Sequence, residues 1–239
     1  MAAPALPTVG ITTDAPAPAL THRLEQLVVL VPVSPLAACL GEIDGLILLP
    51  DADDHNGAAA RALTAAHPGL PEVAAAELTD TAGLAHFLMR IEAHAAWRGL
   101  RMASLTQGAL VDFHSRYKYQ LMACSPAAYR ALGQRLGQRT GQSDAAFAQG
   151  YFVDLMAALR NPPTPGLHCN VLMHLGGYFR RHLDATERQA LERCILAYRD
   201  GAVPLTEPLA RLRQYLEEYP NPYLSRQVYL QPYLERVSD

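Results

Sequence analysis

FHSRYKYQLMACSPAAYRALG, residues 113–133, is the stretch whose reading decides the fold. Phe113, Tyr117, Leu121 and Cys124 continue a stripe begun at Leu110, at the three- and four-residue spacing of a helix with one buried side. Thr106 supplies the cap that starts this helix. Ser125 and Pro126 then set an N-cap beside a proline at the first helical position, where a missing N–H does no harm. A second helix therefore begins at once, with Tyr129, Leu132 and Leu136 inward.

Downstream the same grammar repeats. Ser143 and Asp144 open a helix with Phe147, Tyr151, Leu155 and Leu159 inward, and the prolines of residues 161–166 enforce a loop. A helix over 167–183 follows. Asp184 and Glu187 form a capping box that opens a helix running to Gly201. Residues 208–219 and 222–230 complete an all-α half. Upstream the pattern changes. Residues 7–12, 27–33 and 46–49 are short apolar runs punctuated by Pro and Asp, as buried strands are, with helical stretches at 21–26 and 57–66. Residues 67–71 read as a break, and Leu84, Phe87, Leu88, Ile91 and Ala95 mark a helix ending near Gly99. The expected fold is an α+β chain of two domains, a small α/β domain over 1–105 and an all-α domain over 106–239.

Half of the 239 residues are hydrophobic and 18% are charged, as in ordinary globular proteins. No apolar run approaches the roughly 18 residues that a membrane helix needs. Residues 1–10 hold two prolines and no Lys or Arg, unlike a signal peptide, so a cytoplasmic location with no membrane partner is expected. Cys39, Cys124, Cys169 and Cys194 include no C-x-x-C pair, which argues against a disulfide framework or a structural zinc site. The net charge of −3 is unevenly spread: residues 1–112 carry −7 and residues 113–239 carry +4. Two regions with different partners are expected, the acidic one suited to a protein.

Three clusters could carry chemistry. His114 and Lys118 stand four apart on one helical face, with Arg116 turned elsewhere and Tyr117 and Tyr119 interleaved. Cations for phosphates beside rings for stacking are what an RNA surface uses, although a plain amphipathic helix has the same look. The second cluster holds Asn170, His174, Tyr178, Arg180 and Arg181 around Gly176 and Gly177. Two glycines cost a helix roughly 1–2 kcal/mol against alanines, which fits a close approach by another helix or by a ligand. His168, Cys169 and His174 do not share a face, so no metal is expected there. The third cluster is the tail, with Arg213, Tyr223, Arg226, Gln227 and Tyr229, able to stack on or bond to exposed bases or, equally, to anchor a C-terminal helix through its tyrosines. Phosphate loops, nucleophile elbows and zinc-protease motifs are absent. Residues 51–57 resemble the start of a calcium loop, but Ala62 occupies its twelfth position, so a solvated acidic turn is expected.

The phrases FHSRYKYQLMACSPAAYRALG, NVLMHLGGYF (170–179) and YPNPYLSRQVYLQP (219–232) resemble the YbgA-like domain of unknown function. Cys124 departs from that family's M-A-H-S-P phrase. The first half resembles a degenerate thiouracil-desulfidase-like domain, a Rossmann-like remnant. Val9-Gly-Ile-Thr12, Val31-Pro-Val-Ser-Pro35 and Asp44-Gly-Leu-Ile-Leu48 match that family's strand phrases. The desulfidase family holds a [4Fe–4S] cluster on three cysteines. Here the corresponding segments are residues 12–16, Ser34 and residues 50–54, and Cys39 alone cannot replace thiolates that the irons need. The resemblance thus implies lost desulfuration, no cofactor, and a helical domain that holds tRNA in the metabolism of sulfur-modified nucleosides.

The leading expectation is a non-catalytic RNA-binding, specifically tRNA-binding, protein. Its contacts would be His114, Arg116, Lys118, Asn170, His174, Tyr178, Arg180, Arg181, Arg213, Arg226, Gln227 and Tyr229. One alternative is an enzyme with His114 and His174 as acid–base partners. The other is a protein-interaction module.

Overall fold

A computed structural model describes residues 6–11, 18–32, 43–49, 64–103, 105–138, 145–231 and 236. Most of them are helical, and the N-terminal region holds a small parallel sheet. Strands β1 (Thr8–Ile11), β2 (Val29–Pro32), β3 (Gly45–Leu48) and β4 (Glu72–Ala74) run in the order β2-β1-β3-β4, every neighbouring pair parallel. The chain leaves β1 to one side for β2 and returns to its other side for β3. That reversal is the signature of a doubly wound sheet. The three expected strands are present to within a residue or two; β4, just past the break expected at 67–71, is an additional strand.

By its contacts the chain divides into two compact units. The first comprises residues 1–105, 144–160 and 233–239, and the second residues 106–143 and 161–232. In the first, α1 (Pro18–Glu25) and the long α2 (Thr81–Ala103) accompany the sheet. Gly45 has no room for a Cβ because Ile91 of α2 lies directly against it. Asp44, fully buried at the foot of β3, ties strand and helix together. Its carboxylate accepts from the Thr8 amide (3.2 Å), from Arg98 of α2 (2.7 Å) and from His94 Nδ1 (3.1 Å). A buried charge held by so many donors is compensated. Helix α6 (Ala145–Leu159), placed by its sequence in the helical half, packs in this unit instead. Phe152 stacks on Trp97 at 4.7 Å, His86 Nε2 bonds to the Leu159 carbonyl at 2.9 Å, and Arg160 pairs with Glu72. An apolar stripe shows that a helix is buried; it does not show which neighbour buries it.

The second unit is helical throughout its described residues. It contains α3 (Gln107–Arg116), α4 (Lys118–Cys124), α5 (Pro126–Gly137), α7 (Pro165–Gly176), α8 (Ala185–Arg199) and α9 (Thr206–Glu218). Short 3-10 turns cover Gly177–Phe179, Leu224–Arg226 and Val228–Leu230. Three of the expected caps are made, and the one expected at Ser143 and Asp144 lies outside the described residues. Thr106, Ser125 and Asp184 each accept from a backbone N–H three residues on, and Glu187 closes the box by accepting from the Asp184 amide. The single helix expected over 106–124 is broken at Tyr117, whose ψ of 3° leaves the helical range. That break lets α4 turn inward, and six of its seven residues, Tyr119 to Cys124, are buried. A helix buried on every face is the middle of a core. Around it pack α5, α7 and the turn Val228–Leu230. Among the described residues, no helix is long and apolar enough to cross a membrane.

Candidate functional site

Four tyrosines converge in the second unit. Tyr119 of α4 donates its hydroxyl to that of Tyr178 at 3.2 Å, and the ring of Tyr178 stacks on Tyr223 at 5.9 Å. Burial first, then this hydrogen bond, pushes the Tyr119 hydroxyl far above its usual range. Burial and the nearby Tyr178 hydroxyl push Tyr129 and Tyr223 the same way. At neutral pH the cluster is therefore a set of uncharged hydroxyl donors and acceptors on aromatic plates. Tyr178 is its most exposed member, 40% open to solvent.

Two residues expected as cations flank the cluster, in different roles. The Lys118 ammonium lies 5.0 Å from the centre of the Tyr119 ring, a cation–π arrangement. His114 stacks its imidazole parallel on Tyr129, centroids 5.4 Å apart, and a Cβ at Gly133 would sit 3.3 Å from its Nε2. Burial lowers the His114 pKa below 6.5, so the ring is neutral at pH 7 and offers hydrogen bonds, not charge. Asn170 and His174 stand exposed on α7, and Arg180 and Arg181 stand exposed just past the turn Gly177–Phe179. None of these four side chains has a partner among the described residues. No hydrogen bond or ring contact joins His174 to His114 among the described residues. Arg116 is half-buried at the end of α3.

The tail holds its polar side chains differently from the expected RNA contacts. Tyr229, expected to stack on a base, is buried, and its hydroxyl lies 2.6 Å from His168 Nδ1. Gln227 is 1% exposed and donates to the carbonyls of Ser115 (3.1 Å) and Tyr223 (3.3 Å). Arg226 is exposed, but Asp112 neutralises it through both carboxylate oxygens, at 2.5 and 2.6 Å. Arg213 donates to the Leu230 carbonyl at 3.4 Å. These four fasten the tail onto the unit and so position Tyr223. Sequence reasoning placed Tyr129 only as a core residue and overlooked His182 and Tyr219, whose rings stack at 4.7 Å. No pattern in the sequence joins residues 37 positions apart.

Among the described residues no three His, Cys, Asp or Glu side chains gather as a metal site would require. The segments expected to have lost their cluster cysteines, residues 12–16, Ser34 and 50–54, lie outside the described residues, as do Cys39 and the acidic turn at 51–57.

Comparison with known proteins gives the relationship. Residues 118–233 match the family described as "Protein of unknown function (DUF1722)". The chain is 41% identical over 145 residues to "Uncharacterized protein YbgA" of Escherichia coli (strain K12), covering 60% of this chain and 86% of that protein. No solved structure matches. The matched span contains Tyr119, Tyr129, Tyr178 and Tyr223, the whole tyrosine cluster. With most of the relative's length aligned at this identity, the chain belongs to the YbgA (DUF1722) family.

Proposed function

We propose that the second unit is an RNA-holding module, with tRNA as its substrate class. The acidic first half would then be a separate domain, a desulfidase-like remnant that does no chemistry of its own. The observation that carries this reading is the tyrosine cluster flanked by cations that have no carboxylate partner among the described residues. An exposed ring at Tyr178 offers a stacking surface, worth roughly 1–3 kcal/mol per base in single-strand binding. Lys118, Arg180 and Arg181 supply charge for phosphates, and neutral His114 and the hydroxyls supply hydrogen bonds for base edges. Arg116, Asn170 and His174 extend the same set. The doubly wound parallel sheet and the strand phrases at Val9, Val31 and Asp44 support the desulfidase ancestry, and the acidic charge of that half suits a protein partner.

The test is a titration of labelled tRNA with the full chain between about 50 and 200 mM salt. Binding should weaken steeply with salt, and replacing both Arg180 and Arg181 by alanine should reduce the logarithmic slope by about 2. Tyr178→Ala should weaken binding at every salt concentration while leaving the slope unchanged. A flat slope, or no binding at about 50 mM salt, would overturn the reading.

A further inference from the structure

Beside Tyr178 lies a cleft of about 280 Å³, room for one nucleobase with its sugar. Its flat elements are Tyr178 itself and the stacked pair of His182 and Tyr219, whose planes differ by 21°. Its polar elements are Glu218 and Asn221.

Their hydrogen-bonding capacity is already partly assigned. The Asn221 Oδ1 accepts from the amides of Tyr223 (3.0 Å) and Leu224 (3.1 Å), which fixes the amide group and leaves Nδ2 with two protons to donate. Tyr219 donates its hydroxyl to Glu218 Oε1 at 2.7 Å, and that bond pushes its pKa up to about 12, so the hydroxyl keeps its proton. One carboxylate oxygen is thus steadied and still has a lone pair, and the other is open. The cleft presents two adjacent acceptors from Glu218 and a donor from Asn221. The complementary edge has two adjacent donors and one acceptor. Guanine has such an edge, with its amino group, N1–H and O6. Adenine and cytosine each offer one donor beside a ring acceptor, and uracil offers one donor between two acceptors.

We infer that this cleft holds an unpaired guanine base, read on its Watson–Crick edge by Glu218 and Asn221 and stacked between Tyr178 and the His182–Tyr219 pair. The inference rests on the RNA-holding reading and adds base identity to it. Glu218 is also a device against backbone binding at this spot, because a carboxylate repels a phosphate and so admits a base in its place.

The experiment measures binding of the full chain to four ten-nucleotide single-stranded RNAs, all uridine but for position five, which is uridine, guanosine, adenosine or cytidine. Free 5′-GMP serves as a competitor and, by calorimetry, as a ligand on its own. The guanosine-containing RNA should bind about tenfold or more tighter than the other three. Glu218→Gln, which keeps an acceptor for Tyr219 but replaces one acceptor of the cleft by a donor, should erase that preference while leaving uridine binding within about twofold. Thermal melting of the variant checks that it folds, as expected for an exposed side chain. Equal binding of all four RNAs would overturn the guanine site and leave the RNA module standing. A preference that survives Glu218→Gln would also overturn it. If no RNA binds but 5′-GMP does, the base site stands and its ligand is a free nucleotide. If neither binds, both readings fall.

Discussion

At the scale of single residues, two tyrosines six positions apart in one tail have opposite fates. Tyr223 reaches the hydroxyl cluster, whereas Tyr229 is buried against His168. The buried pair makes a prediction. Tyr229→Phe keeps the ring and removes the hydroxyl, so it deprives His168 Nδ1 of its 2.6 Å partner. The loss should be about 1–3 kcal/mol, read as a lower urea midpoint with an unchanged slope. RNA affinity, measured well below the midpoint, should stay within about twofold of the parent, and a large drop would return Tyr229 to the binding surface. The sequence could not separate these tyrosines. Both stand among Pro, Arg, Gln and Leu, and the tail forms 3-10 turns too short to show a period. Gln227 and Arg226 were misread for the same reason: composition shows what a side chain can do, but only the fold shows which atoms it already satisfies.

At the scale of elements, the glycine pair that ends α7 resolves into two different positions. A Cβ at Gly176 would lie 2.9 Å from Leu191 Cδ2 of α8, so this glycine exists to let two helices approach. Gly177 has nothing within 4 Å and a φ of −58°, which any residue can adopt. Gly177→Ala should therefore stabilise the protein by about 0.5–1 kcal/mol, chiefly by restricting the unfolded chain. Gly176→Ala should destabilise by about 1 kcal/mol, because an overpacked Leu191 outweighs the gain in helix propensity. Opposite signs in thermal melts of the two variants are the expected result; a shared sign would mean that both glycines serve one purpose. Helices and caps were legible because each signal is local, a serine or aspartate satisfying an amide three residues on. Strand β4 was not, since three residues around one apolar Val73 carry no periodicity. The break at Tyr117 was hidden too: an unbroken stripe continues through it, and only the burial of α4 on every face demands the turn.

At the scale of the molecule, each unit carries a histidine that burial keeps neutral, and the two act in the same direction on stability. In the first unit burial, then the nearby Arg90, lowers the His86 pKa from 6.5 to about 4. In the second, burial lowers that of His114. Between the two values the unfolded chain binds a proton that the folded chain refuses, so stability rises with pH and is lost on acidification through that window. For His86 the loss amounts to at most about 3 kcal/mol by pH 4. Trp97 is the single tryptophan of the chain and stacks on Phe152 in the first unit, so its fluorescence follows that unit, while far-ultraviolet dichroism follows all the helices. Urea midpoints read from Trp97 should fall steadily from pH 6.5 to pH 4. In His86→Gln the amide can still donate to the Leu159 carbonyl but cannot take up a proton, so its midpoints should vary much less over the same range. Dichroism on that variant should retain the part of the decline that belongs to His114. An undiminished decline in the Trp97 signal of His86→Gln would assign the acid sensitivity of the first unit to some other group.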